Sequence, residues 1–133
     1  MAAPDPFDAL ANERYVRLST FRKSGAPVPT PVWSARVGEN LYAVTGRNTG
    51  KVKRIRNNPT VALAPSDFRG RPKGRDVRAV ARLTDERKGG AADGALRRKY
   101  GWQYRVFEFV EGLRGAADEL VFLEFRRPDR EGE

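Results

Sequence analysis

The chain of 133 residues has no cysteine and no histidine. Without cysteine there is no disulfide, no thiolate nucleophile, no iron–sulfur cluster and no zinc–thiolate site. Without histidine there is no Ser-His-Asp triad, no imidazole base and no histidine-ligated haem or metal. Chemistry in such a chain runs on a bound cofactor, or on Tyr, Lys, Ser and carboxylates. No apolar run approaches the roughly 20 residues of a membrane-spanning helix. The first residues, MAAPDPFDALANERY, lack the basic-then-apolar order of a secretory signal. These absences read as a cytoplasmic protein with no metal site. Lysine is also scarce: 20 of the 26 basic residues are Arg.

The 26 basic residues outnumber 17 acidic ones, for a net charge of +9. Such a balance attracts polyanions: nucleic acid, an anionic membrane, or a phosphorylated or carboxylated small molecule. An excess of Arg, Ala, Gly and Pro also follows from GC-rich codon usage. The length suits one compact domain over residues 1–133, with no internal repeat, low-complexity tract or linker.

The hydrophobic pattern is mostly that of strands. Asp5 to Asn12 reads as a first helix, with Phe7 and Leu10 on one face. YVRLSTFR (Tyr15–Arg22) then alternates, with Val16, Leu18 and Thr20 opposite Arg17 and Ser19. Val28–Val37 reads as a second strand carrying Pro29 and Pro31, hence an edge or bulged strand, because proline cannot donate to a ladder. Leu41–Thr45, Thr60–Pro65, Asp76–Thr84 and the apolar Glu119–Arg126 complete six strands. Ala91–Leu113 is helical in pattern, with a break near Gly101. Six strands joined by short turns, with small helices, predict a mainly β fold built as an antiparallel barrel.

Two stretches carry chemistry. TGRNTGKVKRIRNNP (Thr45–Pro59) predicts a loop and a short helix, with Thr49 as N-cap, Val52 and Ile55 as apolar anchors, and Asn58-Pro59 as the stop. A phosphate-binding P-loop places one more residue between its glycines and a Ser or Thr after the Lys. Here Val52 follows Lys51, so no hydroxyl is placed to hold magnesium, which argues against nucleotide hydrolysis. Backbone N–H groups at the helix start, Lys51 in its first turn and the hydroxyls of Thr45 and Thr49 can still form an anion site, with Arg54 one turn on. A solvated basic helix has the same pattern. In PTPVW, unpaired backbone and Trp33 could receive a planar polar ligand; a core tryptophan on a proline-protected edge fits equally.

At these stretches the chain resembles a known family. YVRLSTFRKSGAPVPTPVW, TGRNTGKVKRIRNNPTVALAPSDFRG and LRRKYGWQYRVFEFVEGLR are similar to the short PPOX-class, F420-dependent oxidoreductases of the split-barrel flavin-binding superfamily, over about Tyr15 to Arg126. Those oxidoreductases are related to the pyridoxamine-phosphate oxidases. The resemblance implies a six-stranded antiparallel split barrel that forms a homodimer, with cofactor sites at the subunit interface. It implies that Lys51 binds the cofactor phosphate, helped by Thr49 and Gly50. Thr45 and Gly46 would line the phosphate and ribityl chain. Thr30, Val32 and Trp33 would lie along the ring. Arg54, Ser66 and Arg69 would serve the acidic tail of the coenzyme. Many members carry Cys where this chain has Ser66, so no thiol chemistry is carried over.

The activity so implied is hydride transfer between reduced coenzyme F420 and a small planar acceptor, with no catalytic side chain assigned. One alternative is the same fold holding FMN, as an oxidoreductase or a flavin carrier. A more distant alternative is a basic barrel that binds nucleic acid, with Trp33, Phe68 and Tyr104 as stacking platforms.

Overall fold

The computed structural model describes residues 5–84, 90–113 and 120–128. The chain begins with α1 (Pro6–Ala11), β1 (Tyr15–Phe21), β2 (Pro27–Val32), β3 (Ser34–Val37), β4 (Asn40–Gly46) and α2 (Gly50–Asn57). It continues with β5 (Thr60–Ser66), β6 (Val77–Leu83), α3 (Ala91–Tyr100), α4 (Trp102–Leu113) and β7 (Leu120–Arg126). The lead before Asp5, Glu119 and the end of the polar tail lie outside the described residues.

The strands form one sheet in the order β2-β1-β5-β6-β7-β4-β3, and every neighbouring pair is antiparallel. The fold class is therefore the expected one, a mainly β, split-barrel fold, but the strand count is seven. The correction falls on Val28–Val37, which is two strands. Val32 pairs with Val16 of β1 at one edge of the sheet, while Ser34 pairs with Ala43 of β4 at the other. Trp33 alone separates them, so the two edges must meet there, and the sheet is rolled into a barrel with an unbonded seam. The expected edge strand is found: β2 is an edge, and Pro27, Pro29 and Pro31 face Phe21, Ser19 and Arg17.

Alternation builds two cores. Val16, Leu18, Leu41, Ala43, Val61, Leu63, Leu123 and Phe125 fill the barrel, closed by Phe7 and Leu10 of α1. Asp5 caps that helix, its carboxylate accepting from Phe7 N–H at 3.0 Å. A second core lies between the outer side of the β3–β4–β7 region and the helices α3 and α4, and holds Ala35, Val44, Leu96, Tyr100, Tyr104 and Phe122. The helical stretch breaks at Gly101, whose φ of 59° and ψ of −131° favour glycine. α2 is anchored by Val52 and Ile55, both buried, and ends at Asn58, as its sequence predicts. Among the described residues, no helix is long and apolar enough to cross a membrane.

Candidate functional site

A cavity of about 330 Å³ opens at the barrel seam. One side comes from Pro31 and Val32 at the end of β2 and from Trp33 at the strand break. The other comes from Val44, Thr45 and Gly46 at the end of β4, with Tyr15 and Phe107 completing the walls. Thr49 and Lys51, at the start of α2, supply the polar end. The cavity is thus apolar and aromatic along its length and cationic at one end. That combination suits a planar ring carrying an anionic group.

The cationic end is built locally. Thr49 occupies the N-cap position but does not cap: its hydroxyl donates to Gly46 carbonyl at 3.0 Å and closes the preceding turn. The side chain at the N-cap position therefore leaves the N–H groups of the first turn of α2 without a cap of its own. Lys51 is half-buried beside them and makes no hydrogen bond or ion pair among the described residues. Burial, with the Arg54 guanidinium nearby, pushes its ammonium pKa down. Arg54 Nε donates to Thr20 Oγ1 at 2.7 Å. Two cations and a helix start converge here with no carboxylate partner for either cation among the described residues, an arrangement that an added anion would relieve.

The strand break that places Trp33 is fastened from far along the chain. The Tyr100 hydroxyl accepts from Ser34 N–H at 3.0 Å and donates to Arg14 carbonyl at 2.8 Å. Lys99 Nζ donates to the carbonyls of Ser34 (2.6 Å) and Glu13 (2.7 Å). The last turn of α3 thereby ties the seam to the lead-in of β1, which carries Tyr15. Trp33 stacks on the Tyr100 ring, with centroids 4.6 Å apart and planes 11° apart, and Phe107 tilts against it at 5.6 Å. Trp33 is therefore both a packed aromatic and a wall of the cavity. Burial pushes the Tyr100 phenol up to about 12.

Of the residues named from sequence, Val32, Trp33, Thr45, Gly46, Thr49 and Lys51 meet around this cavity. Gly50 and Arg54 adjoin its cationic end without lining it. Thr30 shares the face of Val32, and its Oγ1 is buried without a partner. Ser66 lies opposite Tyr15 on β5 but does not line the cavity; it is buried and donates to Asp67 carbonyl at 3.1 Å. Arg69 stands on an exposed loop, over the Phe68 ring. That loop leans on the cavity wall at Gly70, where a Cβ would lie 3.2 Å from Pro31 Cδ. Lys53 and Arg56 are exposed on the solvent side of α2. The aromatics offered as a nucleic-acid platform are not on one face. Tyr104 is buried, with its hydroxyl on Asp93 at 2.9 Å, whereas Phe68 is exposed. Among the described residues, no group of three or more carboxylates could hold a metal ion.

Sequence reasoning passed over Tyr15, Val44 and Phe107 as cavity walls, and over Lys99 and Tyr100 as the clamp. Their only local signal is that of a strand or helix residue, and it takes the antiparallel pairing to bring them together.

The family model for pyridoxamine 5'-phosphate oxidase matches residues 6–122. Among solved structures, a FAD-binding protein from Mesorhizobium loti is similar at 20% identity and TM-score 0.60, over 96% of this chain and 89% of its own. An F420 reductase is similar at 24% identity and TM-score 0.57, over 93% of this chain and 94% of its own. A heme storage protein from Vibrio cholerae is similar at 13% identity and TM-score 0.61, over 96% and 91%. At these identities the likeness is one of fold. No curated protein matches the chain.

Proposed function

The chain belongs to the pyridoxamine 5'-phosphate oxidase family, and from that premise we propose that it is an F420-dependent oxidoreductase acting on a small planar acceptor. The observation that carries this reading is the unpartnered, half-buried Lys51 at an uncapped helix start, closing an aromatic-walled cavity. A flavin-type cofactor has that shape, a flat ring leading through a polyol to a phosphate. Lys51 and the first turn of α2 would hold the phosphate. Thr45 and Gly46 would flank the polyol, while Val32, Trp33, Val44 and Phe107 would enclose the ring and exclude water.

When bound, reduced F420 supplies a hydride, chemistry that needs no histidine or cysteine from the protein. The chain contributes binding, orientation and charge. Tyr15, Thr45 and Thr49 bring hydroxyl side chains to the cavity and Ser66 does not; with Thr49 committed to the Gly46 carbonyl, the Tyr15 phenol would be the candidate to hold a proton near the acceptor. The exposed cations Lys53, Arg56 and Arg69 suit the oligoglutamate tail that F420 has and FMN lacks. The similarity in fold to an F420 reductase points the same way.

A second reading is an FMN protein of the same fold. Two cations at one helix start suit the dianionic phosphate monoester of FMN, and this is the observation that favours it. Turnover decides between them: oxidation of reduced F420 is followed with quinone and nitroaromatic acceptors, against the same assay with reduced FMN. Acceptor-dependent oxidation of F420 alone supports the proposal, and oxidation of FMN alone contradicts it.

A further inference from the structure

Thr20 is a hydroxyl in an apolar row. It shares the inward face of β1 with Val16 and Leu18, and all three are fully buried. A hydroxyl in such a place is unfavourable unless bonded. Its bond is the one to Arg54 Nε, at 2.7 Å. Arg54 is thus held through Nε, and its two terminal nitrogens make no hydrogen bond or ion pair among the described residues. The held guanidinium lies over the first residue of α2: a Cβ on Gly50 would come 2.9 Å from Nη1.

We propose that Thr20 is a positioning residue for the anion site, holding Arg54 folded back over Gly50 so that its terminal nitrogens and the Lys51 ammonium address one phosphate. This rests on the reading of the cavity as the site of a phosphate-bearing, flavin-type ligand. It moves Arg54 from the acidic tail, the role that the family resemblance implies for it, to the phosphate itself.

The chemistry of the two supporting residues fits that role. An arginine one turn from a lysine is repelled by it, and would extend into water with its many rotamers. The buried hydroxyl removes that freedom and leaves the outer edge of the planar fork presented. A carboxylate at position 20 would hold Arg54 as firmly, but would neutralise the charge that the ligand needs. A hydroxyl orients the cation without taking its charge. Gly50 supplies the space, because any side chain there displaces the guanidinium. Neither Thr20 nor Gly50 lines the cavity, so both act through Arg54.

The test is equilibrium binding, by fluorescence, of four ligands: F420 and its phosphate-free deazariboflavin chromophore, and FMN and riboflavin. The proteins are wild type, Thr20→Val, Thr20→Ser, Gly50→Ala, Arg54→Gln and the Thr20→Val/Arg54→Gln pair. Thr20→Val and Gly50→Ala should each weaken the phosphate-bearing ligands by about tenfold, with the phosphate-free ones unchanged. Thr20→Ser should restore wild-type affinity, and Thr20→Val should add nothing to Arg54→Gln. Gly50 is exposed and alanine favours a helix, so that variant tests the idea even if Thr20→Val fails to fold. Wild-type affinity in both Thr20→Val and Gly50→Ala overturns the proposal, as does equal loss for ligands with and without phosphate. Phosphate-dependent binding of FMN but not F420, lowered by Thr20→Val, keeps the positioning role and removes the F420 reading. Binding of neither phosphate-bearing ligand overturns both.

Discussion

The proposed function rests most directly on one side chain, Lys51. Half-buried beside Arg54 at a helix start, its ammonium is held in an unfavourable field, which a phosphate reverses. Lys51→Met should therefore weaken F420 or FMN binding by roughly ten- to a hundredfold, the value of a charge-assisted hydrogen bond. Its thermal midpoint should stay level or rise slightly, because an unpaired cation has been removed. Ligand titration and a melting curve on the same sample check both halves; unchanged affinity contradicts the assignment. This residue was legible in the sequence because everything that defines it is local: the glycine-flanked loop, the buried Val52 and Ile55, and the Asn-Pro stop. Phe107 and Tyr15 were not legible, because their place in the cavity is made by pairings across the barrel. Thr49 is the N-cap residue, as expected, but without a side-chain cap, because its hydroxyl is committed to Gly46.

At the scale of elements, the decisive contact is that of α3 with the strand break. The break was hidden in the sequence because the β-like run Val28–Val37, with Pro29 and Pro31, signals an edge or a bulge but not the point at which the strand divides. What divides it is the clamp of Lys99 and Tyr100 on Ser34, from more than sixty positions away. Lys99→Met removes the ammonium that bridges the Ser34 and Glu13 carbonyls and should destabilise the fold by about 1–3 kcal/mol. Burial, and then Arg14, pushes the Lys99 ammonium down from 10.5 to about 8. A lowered pKa on a base means that the unfolded chain keeps its proton after the native one has lost it. Between about pH 8 and 10.5 the unfolded state binds more protons, and stability rises with pH through Lys99. The melting midpoint of wild type relative to Lys99→Met should therefore increase across that window. A constant or shrinking difference contradicts the sign. The junction of the two helices gives a simpler test. Gly101 has open space around the site of a Cβ, so Gly101→Ala meets only the backbone penalty of its positive φ. Chemical denaturation should show a loss of about 1–2 kcal/mol.

For the whole molecule, the fold class was legible because strand alternation and turn residues repeat along most of the chain. The way the sheet closes was not, since that is set by which edges meet. One surface asks for a partner. Trp102, Val106 and Phe109 lie along one side of α4 and are 72%, 51% and 68% exposed, on the helix whose Phe107 lines the cavity. Covering that stripe with a second copy agrees with the homodimer that the family resemblance implies. Sedimentation should give twice the chain mass, and Trp102→Glu/Phe109→Glu should shift it toward the monomer. A monomeric wild type contradicts this.

The cavity, its cationic end and the exposed cations of α2 would together form one site for a deazaflavin coenzyme. Fluorescence titration of the purified chain with F420, and in parallel with FMN, tests it most directly. F420 binding should be saturable, tighter than FMN binding, and lost in Lys51→Met. Tight FMN binding with none of F420, or F420 affinity indifferent to Lys51, would contradict it.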